Sequence, residues 1–579
     1  MRVLISADCG YGLPHRVPTT PRRPASGGVT SSYPSTAGLQ DWTTLRGVVA
    51  GNLRRDGILL PEPPAPTAAR SRGTGLDATE TRKFDLVRRF GTTGALLMGL
   101  GSLGAGTAPV LGNPVVGHMV VGLLPRMPTA SLAVAYTGIA MVVLAWLWLG
   151  ALVSPGSARR ISRAQLDRTM LMWAAPLLVA PPMFSRDVYS YLAQSAMVNR
   201  GFDPYVLGPA QALGVDHPLV RAIPTIWRNT PAPYGPLFLT LGRPIDWIAG
   251  DDVVLGVLLH RTLAVAGLVM TVWALPRLAR RIGVSPVFAL WLGAANPLVL
   301  FHLVSGVHNE ALMIGMMLVG LELVLRPGAP QLAMLGGTAV IAAAAEVKAP
   351  AALALGFVVV WWARQRGGRP RDLAWVATVV TGVAVATTVA IGLGTGLGFG
   401  WAGALGTPNV VRSWMSVVTE LGLLAGSMGT LLGLGDHTTS VLALVRLAGL
   451  AAASAICLLA LWRCWQGRLN PLAGIGIGLG AVVLLGPVVH PWYLLWVVIP
   501  LAASATHPAF RAATTLACAG LAVVVAPTGA DFLFRAWVLP SAMAAAAVSL
   551  IVPLLMIRRS TPPLFGVLRV SAPRSPGAT

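Results

Sequence analysis

The stretch Ser185-Arg186-Asp187-Val188-Tyr189-Ser190-Tyr191 puts an adjacent Arg and Asp directly after an apolar segment. Ionisable side chains at the mouth of a membrane helix are costly unless they pair, bind or react. Asp187 is therefore the first candidate for a reactive carboxylate, able to take a proton from an attacking hydroxyl. Helical spacing sets Asp187, Tyr191 and Gln194 on one face of a helix expected from Arg186 to about Arg200. Val188, Leu192 and Ala196 occupy the opposite face, towards lipid or protein. Gly201 can stop this helix, and Asp203-Pro204 turns the chain ahead of Tyr205. The plainer alternative is an interfacial helix on which Arg186 and Asp187 are solvated or pair with each other.

A complementary charge comes from Lys348. The chain holds two lysines, Lys83 and Lys348, and otherwise uses arginine. A compact ammonium suits a phosphate oxygen. The alternative is a salt bridge to Glu346, although residues two apart do not share a helix face. His308-Asn309-Glu310 and His490-Pro491-Trp492-Tyr493 lie at the ends of apolar runs and could face one cavity. A hydrogen-bonded turn is the structural alternative for the first, and interfacial aromatic anchors for the second. His308 with Glu310 is only part of a metal pattern, because no further ligand stands at the right spacing. Arg412, ahead of Ser413 and Trp414, could hold an anionic head group or be solvated.

The elements that position these residues must lie in a membrane. Hydrophobic residues make up 55% of the chain, charged residues 11%, and mean hydropathy is +0.69. That composition specifies an all-α, polytopic integral membrane protein. The net charge of +22 comes from short arginine clusters between apolar runs, which is how topology signals look, and it does not imply nucleic acid. Cys9, Cys457, Cys464 and Cys518 have neither disulfide nor zinc spacing. Residues 1–80, rich in Pro, Gly, Ser, Thr and Arg, read as a disordered cytoplasmic tail, and 561–579 as a second tail. No cleavable signal-peptide pattern is present, so the first membrane helix is expected to act as the insertion signal.

About fourteen membrane helices are expected within residues 81–560, the first near 90–112 and the last near 534–557. Basic clusters alternate with them. Arg82, Lys83, Arg88 and Arg89 precede the first span, and Arg159, Arg160, Arg163 and Arg168 follow the second. Arg277, Arg280 and Arg281 follow the fourth, Arg364, Arg366, Arg369 and Arg371 the eighth, Arg463 and Arg468 the tenth, and Arg558 and Arg559 the last. The positive-inside rule puts all of them, and both termini, in the cytoplasm. The apolar stretches near 236–250 and 414–434 must then be interfacial or re-entrant. Long loops 185–252 and 396–439, and the turns at 306–309 and 489–491, fall outside the cytoplasm.

No P-loop, dinucleotide fingerprint, GxSxG elbow or HExxH occurs in a supporting context. An outward-facing site without nucleotide points to a lipid-linked donor. Two classes remain open on this evidence, a membrane transferase and a secondary transporter or polysaccharide flippase, for which many spans are also normal.

In order along the chain, Ser185-Arg186-Asp187-Val188-Tyr189-Ser190-Tyr191, Gly201-Phe202-Asp203-Pro204-Tyr205 with Gly208-Pro209, Tyr234-Gly235-Pro236, His308-Asn309-Glu310 and Val347-Lys348-Ala349-Pro350 form a pattern. It resembles the actinobacterial polyprenol-phosphomannose-dependent α-1,6-mannosyltransferases of the MptA/MptB kind, within the GT-C class of membrane glycosyltransferases. The resemblance covers roughly residues 85–560 and leaves the N-terminal tail aside. It implies a GT-C-like fold in the plasma membrane. The implied reaction moves mannose from polyprenyl-phosphate-mannose to a lipid-anchored mannan, the core of lipomannan and lipoarabinomannan, on the outer face. It further implies inversion with an acidic base in the first outer loop, a role that falls here on Asp187, while Lys348, with Arg186 or Arg412, would hold the leaving phosphate. Tyr189, Tyr191, Gln194, Asp203, Tyr205, Tyr234, His308, Asn309, Glu310, His490, Trp492 and Tyr493 complete the expected substrate site. No cofactor is implied, and a divalent metal is not required. The physics of the sequence does not separate mannose from another polyprenyl-linked sugar such as arabinofuranose.

Overall fold

The computed structural model describes residues 75–154, 160–529 and 538–560, and among them the chain is helix and turn with no strand. The expected tails, apart from residues 75–80, lie outside the described residues, as do Cys9 and Arg159. The N-terminal tail ends earlier than expected. Helix α1 (Ala78–Ala105) starts on a capping box, with Asp77 Oδ1 accepting the Glu80 N–H at 2.8 Å and Glu80 Oε2 accepting the Asp77 N–H at 2.9 Å.

Every one of the fourteen expected apolar stretches carries helix. After α1 come α2 (Pro128–Val153), α3 (Arg163–Val179), α4 (Asp187–Asn199), α5 (Pro236–Ala249), α6 (Val253–Arg281) and α7 (Pro286–Gly293). A π-helix (Val299–Ser305) leads to α8 (Glu310–Val324), α9 (Gln331–Ala345), α10 (Leu353–Gln365), α11 (Pro370–Thr395), α12 (Val417–Leu431) and α13 (Thr438–Trp465). The chain closes with α14 (Pro471–Leu484), α15 (Leu494–Ala502), α16 (Pro508–Val524) and α17 (Val538–Ser560).

The expected count of fourteen crossings is not confirmed by helix length and hydropathy. Among the described residues four helices, α2, α6, α11 and α13, are long and apolar enough to cross a membrane, or five if the π-helix and α8 form one bent span. Most of the other runs form helices shorter than 18 residues. A fourteen-residue helix such as α14 rises about 21 Å, short of a hydrocarbon core of about 30 Å. The two stretches expected not to span are the short helices α5 and α12. Lipid is the natural cover for α13, where Leu444, Leu447, Leu450 and Leu458 are all more than 60% exposed.

Four devices hold the region of Asp187. The π-helix meets α8 at a bend of 107°, and π-helical turns interrupt ordinary helices mainly where function needs the backbone re-aimed. Arg261 on α6, itself buried, donates to Leu178 O at 2.6 Å, Val304 O at 3.2 Å and Ser305 O at 3.4 Å, so one cation caps the ends of both α3 and the π-helix. Helices α6 and α8 approach through Gly267 and Gly315, since a Cβ on Gly315 would stand 2.3 Å from Gly267 O. Among the described residues, the non-glycine positions with left-handed φ are Phe184 at 70° and Val307 at 57°. They sit just before Ser185 and His308, and such conformations cost about 1–3 kcal/mol each unless their surroundings enforce them. The Phe184 ring stacks on Phe301 of the π-helix at 5.4 Å, which locks the two segments together.

Candidate active site

Helix α4 begins at Asp187, whose N–H donates to Ser185 Oγ at 3.0 Å, so the carboxylate projects from a first turn. The expected Arg186–Arg200 helix thus appears one residue shorter at each end. Asp187 keeps 21% of its side chain exposed, while Glu310, at the first turn of α8, has none. Between them sits His308, with Nδ1 at 3.6 Å from Asp187 Oδ2 and 3.7 Å from Glu310 Oε2. Lys348 donates to Glu310 Oε1 in a close ion pair, its side chain only 15% exposed.

This pairing overturns the Lys348–Glu346 alternative. Glu346 instead accepts the Thr388 hydroxyl at 2.7 Å, and Lys348, in an extended conformation ahead of the 3-10 turn Ala349–Ala352, turns to α8. Aromatic rings wall the ammonium. Its Nζ lies 4.9 Å from the Tyr493 ring centre, 5.5 Å from Trp496 and 5.8 Å from Tyr234. Trp492 is stacked between His308 at 4.1 Å and His490 at 4.4 Å. Two turns 182 positions apart therefore close on one another, as their polar content suggested. Tyr191 meets Tyr234 edge-on at 5.1 Å and completes the wall from α4.

The charges here act on one another. Burial, and then the Glu310 carboxylate, push the Asp187 acid up to about 6, with Lys348 and the Ser185 hydrogen bond pulling the other way. Burial works against the Lys348 ammonium, but Glu310, Tyr493 and Asp187 more than offset it and keep the group charged. Burial, reinforced by Lys348 and His490, holds His308 far below the usual histidine range, so a neutral imidazole lies between the two carboxylates. Burial and Lys348 likewise lower His490 to about 4, against the pull of Glu310.

Several buried polar atoms here have no hydrogen-bond partner among the described residues: both ring nitrogens of His308, both amide atoms of Asn309, Glu310 Oε2 and Gln194 Oε1. Such groups are rare in native interiors and call for a partner. A polyhydroxyl ligand supplies donors and acceptors together. Among the described residues no group of three or more His, Cys, Asp or Glu side chains is arranged to hold a metal ion.

Other expected site residues have local duties. Tyr189 gives its hydroxyl to Thr107 O, and Asp203 Oδ1 accepts the Tyr205 N–H at 2.8 Å within its own turn. Tyr205 packs against Gly400, joining the two long loops, and its buried hydroxyl has no hydrogen-bond partner among the described residues. Arg186 reaches Ala222 O at 3.4 Å. Arg412 is exposed on the second loop, where its charge bears on Asp436 and Arg446. Sequence reasoning missed Trp496 and the partnership of Glu310 with Lys348. The first had a signal in the i, i+3 spacing of Tyr493 and Trp496, which stack at 4.2 Å. The second joins residues 38 positions apart, and no local pattern encodes it.

The Tyr234-Gly235-Pro236 turn shows why glycine stands there. A Cβ on Gly235 would lie 2.1 Å from Glu346 O, two residues before Lys348. Gly235→Ala is expected to separate Tyr234 from Lys348 and to cost about 1–3 kcal/mol in stability, as overpacking does. A lowered Tm with a parallel fall in turnover would confirm it, and an unchanged Tm would show that the contact is not tight.

Comparison with known proteins identifies the family. Residues 88–364 match the family model described as "Alpha-(1->6)-mannopyranosyltransferase, N-terminal domain", and residues 418–555 match "MptB C-terminal domain". A probable alpha-(1->6)-mannopyranosyltransferase of Mycolicibacterium smegmatis is 45% identical over 84% of this chain and 91% of its own length. An alpha-(1->6)-mannopyranosyltransferase of Mycobacterium tuberculosis is 43% identical over 83% of this chain and 88% of its own. Alpha-(1->6)-mannopyranosyltransferase B of Corynebacterium glutamicum is 38% identical over 79% of each chain. No solved structure matches. The chain belongs to the alpha-(1->6)-mannopyranosyltransferase family, membrane glycosyltransferases of the hexosyl-transferring class.

Proposed function

We propose that this chain transfers mannose from polyprenyl-phosphate-mannose to an α-1,6-linked, lipid-anchored mannan of the lipomannan type, at the outer face of the plasma membrane. The observation that carries this reading is the convergence of a partly exposed carboxylate, Asp187, with a charged lysine among aromatic rings and a set of unpartnered buried polar atoms. The acceptor hydroxyl oxygen attacks the anomeric carbon of mannose, the carbon–oxygen bond to phosphate breaks, and the hydroxyl proton passes to Asp187. Inversion to an α product requires a β-linked donor. Beyond its bonds to Glu310 and the Tyr493 side chain, the Lys348 ammonium has one further donor, which would meet the leaving phosphate. Arg186 donates to Ala222 O and Arg412 is exposed on the second loop, so this reading gives them the margins of that role. Glu310, fully enclosed, fixes Lys348 and leaves Asp187 as the carboxylate that an acceptor can reach.

Fixed positive charge and alignment supply the rate, because a sugar phosphate already carries a competent leaving group. The reading requires no metal. The alternation of arginine clusters supports placing the site outside the cytoplasm, with short helices shielded by neighbours completing the membrane crossings. Because the base must be ionised, transfer is expected to rise with pH through about 6, the value at which Asp187 titrates. A rate profile flat across that region would contradict the assignment. The competing transporter reading is settled by purified protein in detergent. A transferase moves labelled sugar onto an acceptor without a sealed membrane, and a transporter does not.

A further inference from the structure

The far end of α8 builds a second polar site. Glu310 and Glu322 lie on one helix, twelve residues or about 18 Å apart, so this site is distinct from the Asp187 cluster. There the last turns of α6 and α8 and the chain that follows form an open cavity of about 620 Å³, lined by Trp273, Arg277, Arg280, Arg281, Glu322 and Arg326. That volume falls within the range of small-ligand sites. Arg281 pairs closely with Glu322, the one acidic residue in the lining, yet Arg281 Nη1 and Glu322 Oε2 are buried without hydrogen-bond partners among the described residues. Arg277 stacks over Trp273 at 4.3 Å. Glu322 also feels the charges of Arg277 and Arg326, while Arg280 and Arg326 are exposed and neither is within salt-bridge distance of it.

We propose that this cavity binds a phosphate-bearing anion. A topology signal needs arginines only in a solvated loop, whereas here four guanidiniums gather around one cavity whose single carboxylate, Glu322, offsets only one of their charges, so a further anion would relieve their repulsion. Guanidinium groups offer paired donors that match phosphate oxygens, and the buried Nη1 of Arg281 is one such donor without an internal acceptor. The cavity opens at the rim of a membrane-length helix, with Leu323 and Pro327 as apolar flanks, a setting in which basic pockets take anionic lipid head groups. A free phosphate presents the same chemistry.

The test uses the full chain and the double variant Arg280→Gln, Arg326→Gln, which leaves the Arg281–Glu322 pair in place. One arm titrates the detergent-purified protein with inorganic phosphate. The other follows lipid retention by native mass spectrometry from phosphatidylcholine nanodiscs with and without phosphatidylglycerol. The expected result is phosphatidylglycerol retained by the wild type and bound about tenfold or more weakly by the variant, with mannosyl transfer unchanged in phosphatidylcholine. Binding of inorganic phosphate alone, lost in the variant, would support the site with a soluble anion as its source. Binding of neither, or equal binding by wild type and variant, would overturn the proposal.

Discussion

Replacing Asp187 by Asn is expected to lower kcat for mannosyl transfer by a factor of about 10²–10⁴, the usual range for loss of a general base, with donor KM close to wild type. The change is nearly isosteric, and the backbone bond from residue 187 to Ser185 Oγ does not depend on the carboxylate. Stability separates this result from misfolding. The folded protein holds the Asp187 acid at about 6, above its ordinary value, so the folded state binds more protons between those values than the unfolded chain. Its contribution to stability therefore falls as pH rises through that window, and at neutral pH the charge is a cost that Asn removes. The variant should keep the wild-type Tm or exceed it while losing activity. Transfer near the wild-type rate would end the role of Asp187 as base.

Breaking the Lys348–Glu310 pair is expected to have the largest effect on stability. Glu310 is fully enclosed and Lys348 nearly so, and removing one member of such a pair leaves an uncompensated charge at a cost of about 3–5 kcal/mol. Lys348→Met and Glu310→Gln should each lower Tm. The double variant should be less destabilised than the sum of the two, because it removes both charges together. Lys348→Met and the double variant should not support transfer, since the phosphate has lost its ammonium, and Glu310→Gln, which keeps the ammonium without fixing it, should transfer more slowly than wild type. Strictly additive losses in Tm would show that the two side chains do not depend on each other.

These expectations mix what the chain displays with what only folding brings together. The α4 helix was legible to within a residue at each end, because Asp187, Tyr191 and Gln194 follow a helical period and Gly201 closes it. The convergence of the His308 and His490 turns was foreseen from their polar content at the ends of apolar runs, although the Trp492 sandwich that joins them was not. The partner of Lys348 was misread in one alternative as Glu346. Sequence proximity favoured that neighbour, but the chain leaves α9 extended at Lys348 and points it at α8. The number of crossings was the least legible feature. Hydropathy registers an apolar run whether it forms one long helix or, as from 286 to 305, a short helix, a break and a π-helix. Arg261, not singled out from the sequence, is consumed by three carbonyls at helix ends.

The most direct measurement is product linkage. Purified full-length protein in detergent is given labelled polyprenyl phosphomannose and a short α-mannoside, and the extended product is analysed. A mannoside lengthened by an α-1,6 bond in wild type, and absent with Asp187→Asn, is the predicted result. Wild-type protein that is folded yet transfers no mannose, or forms a different linkage, would contradict the account.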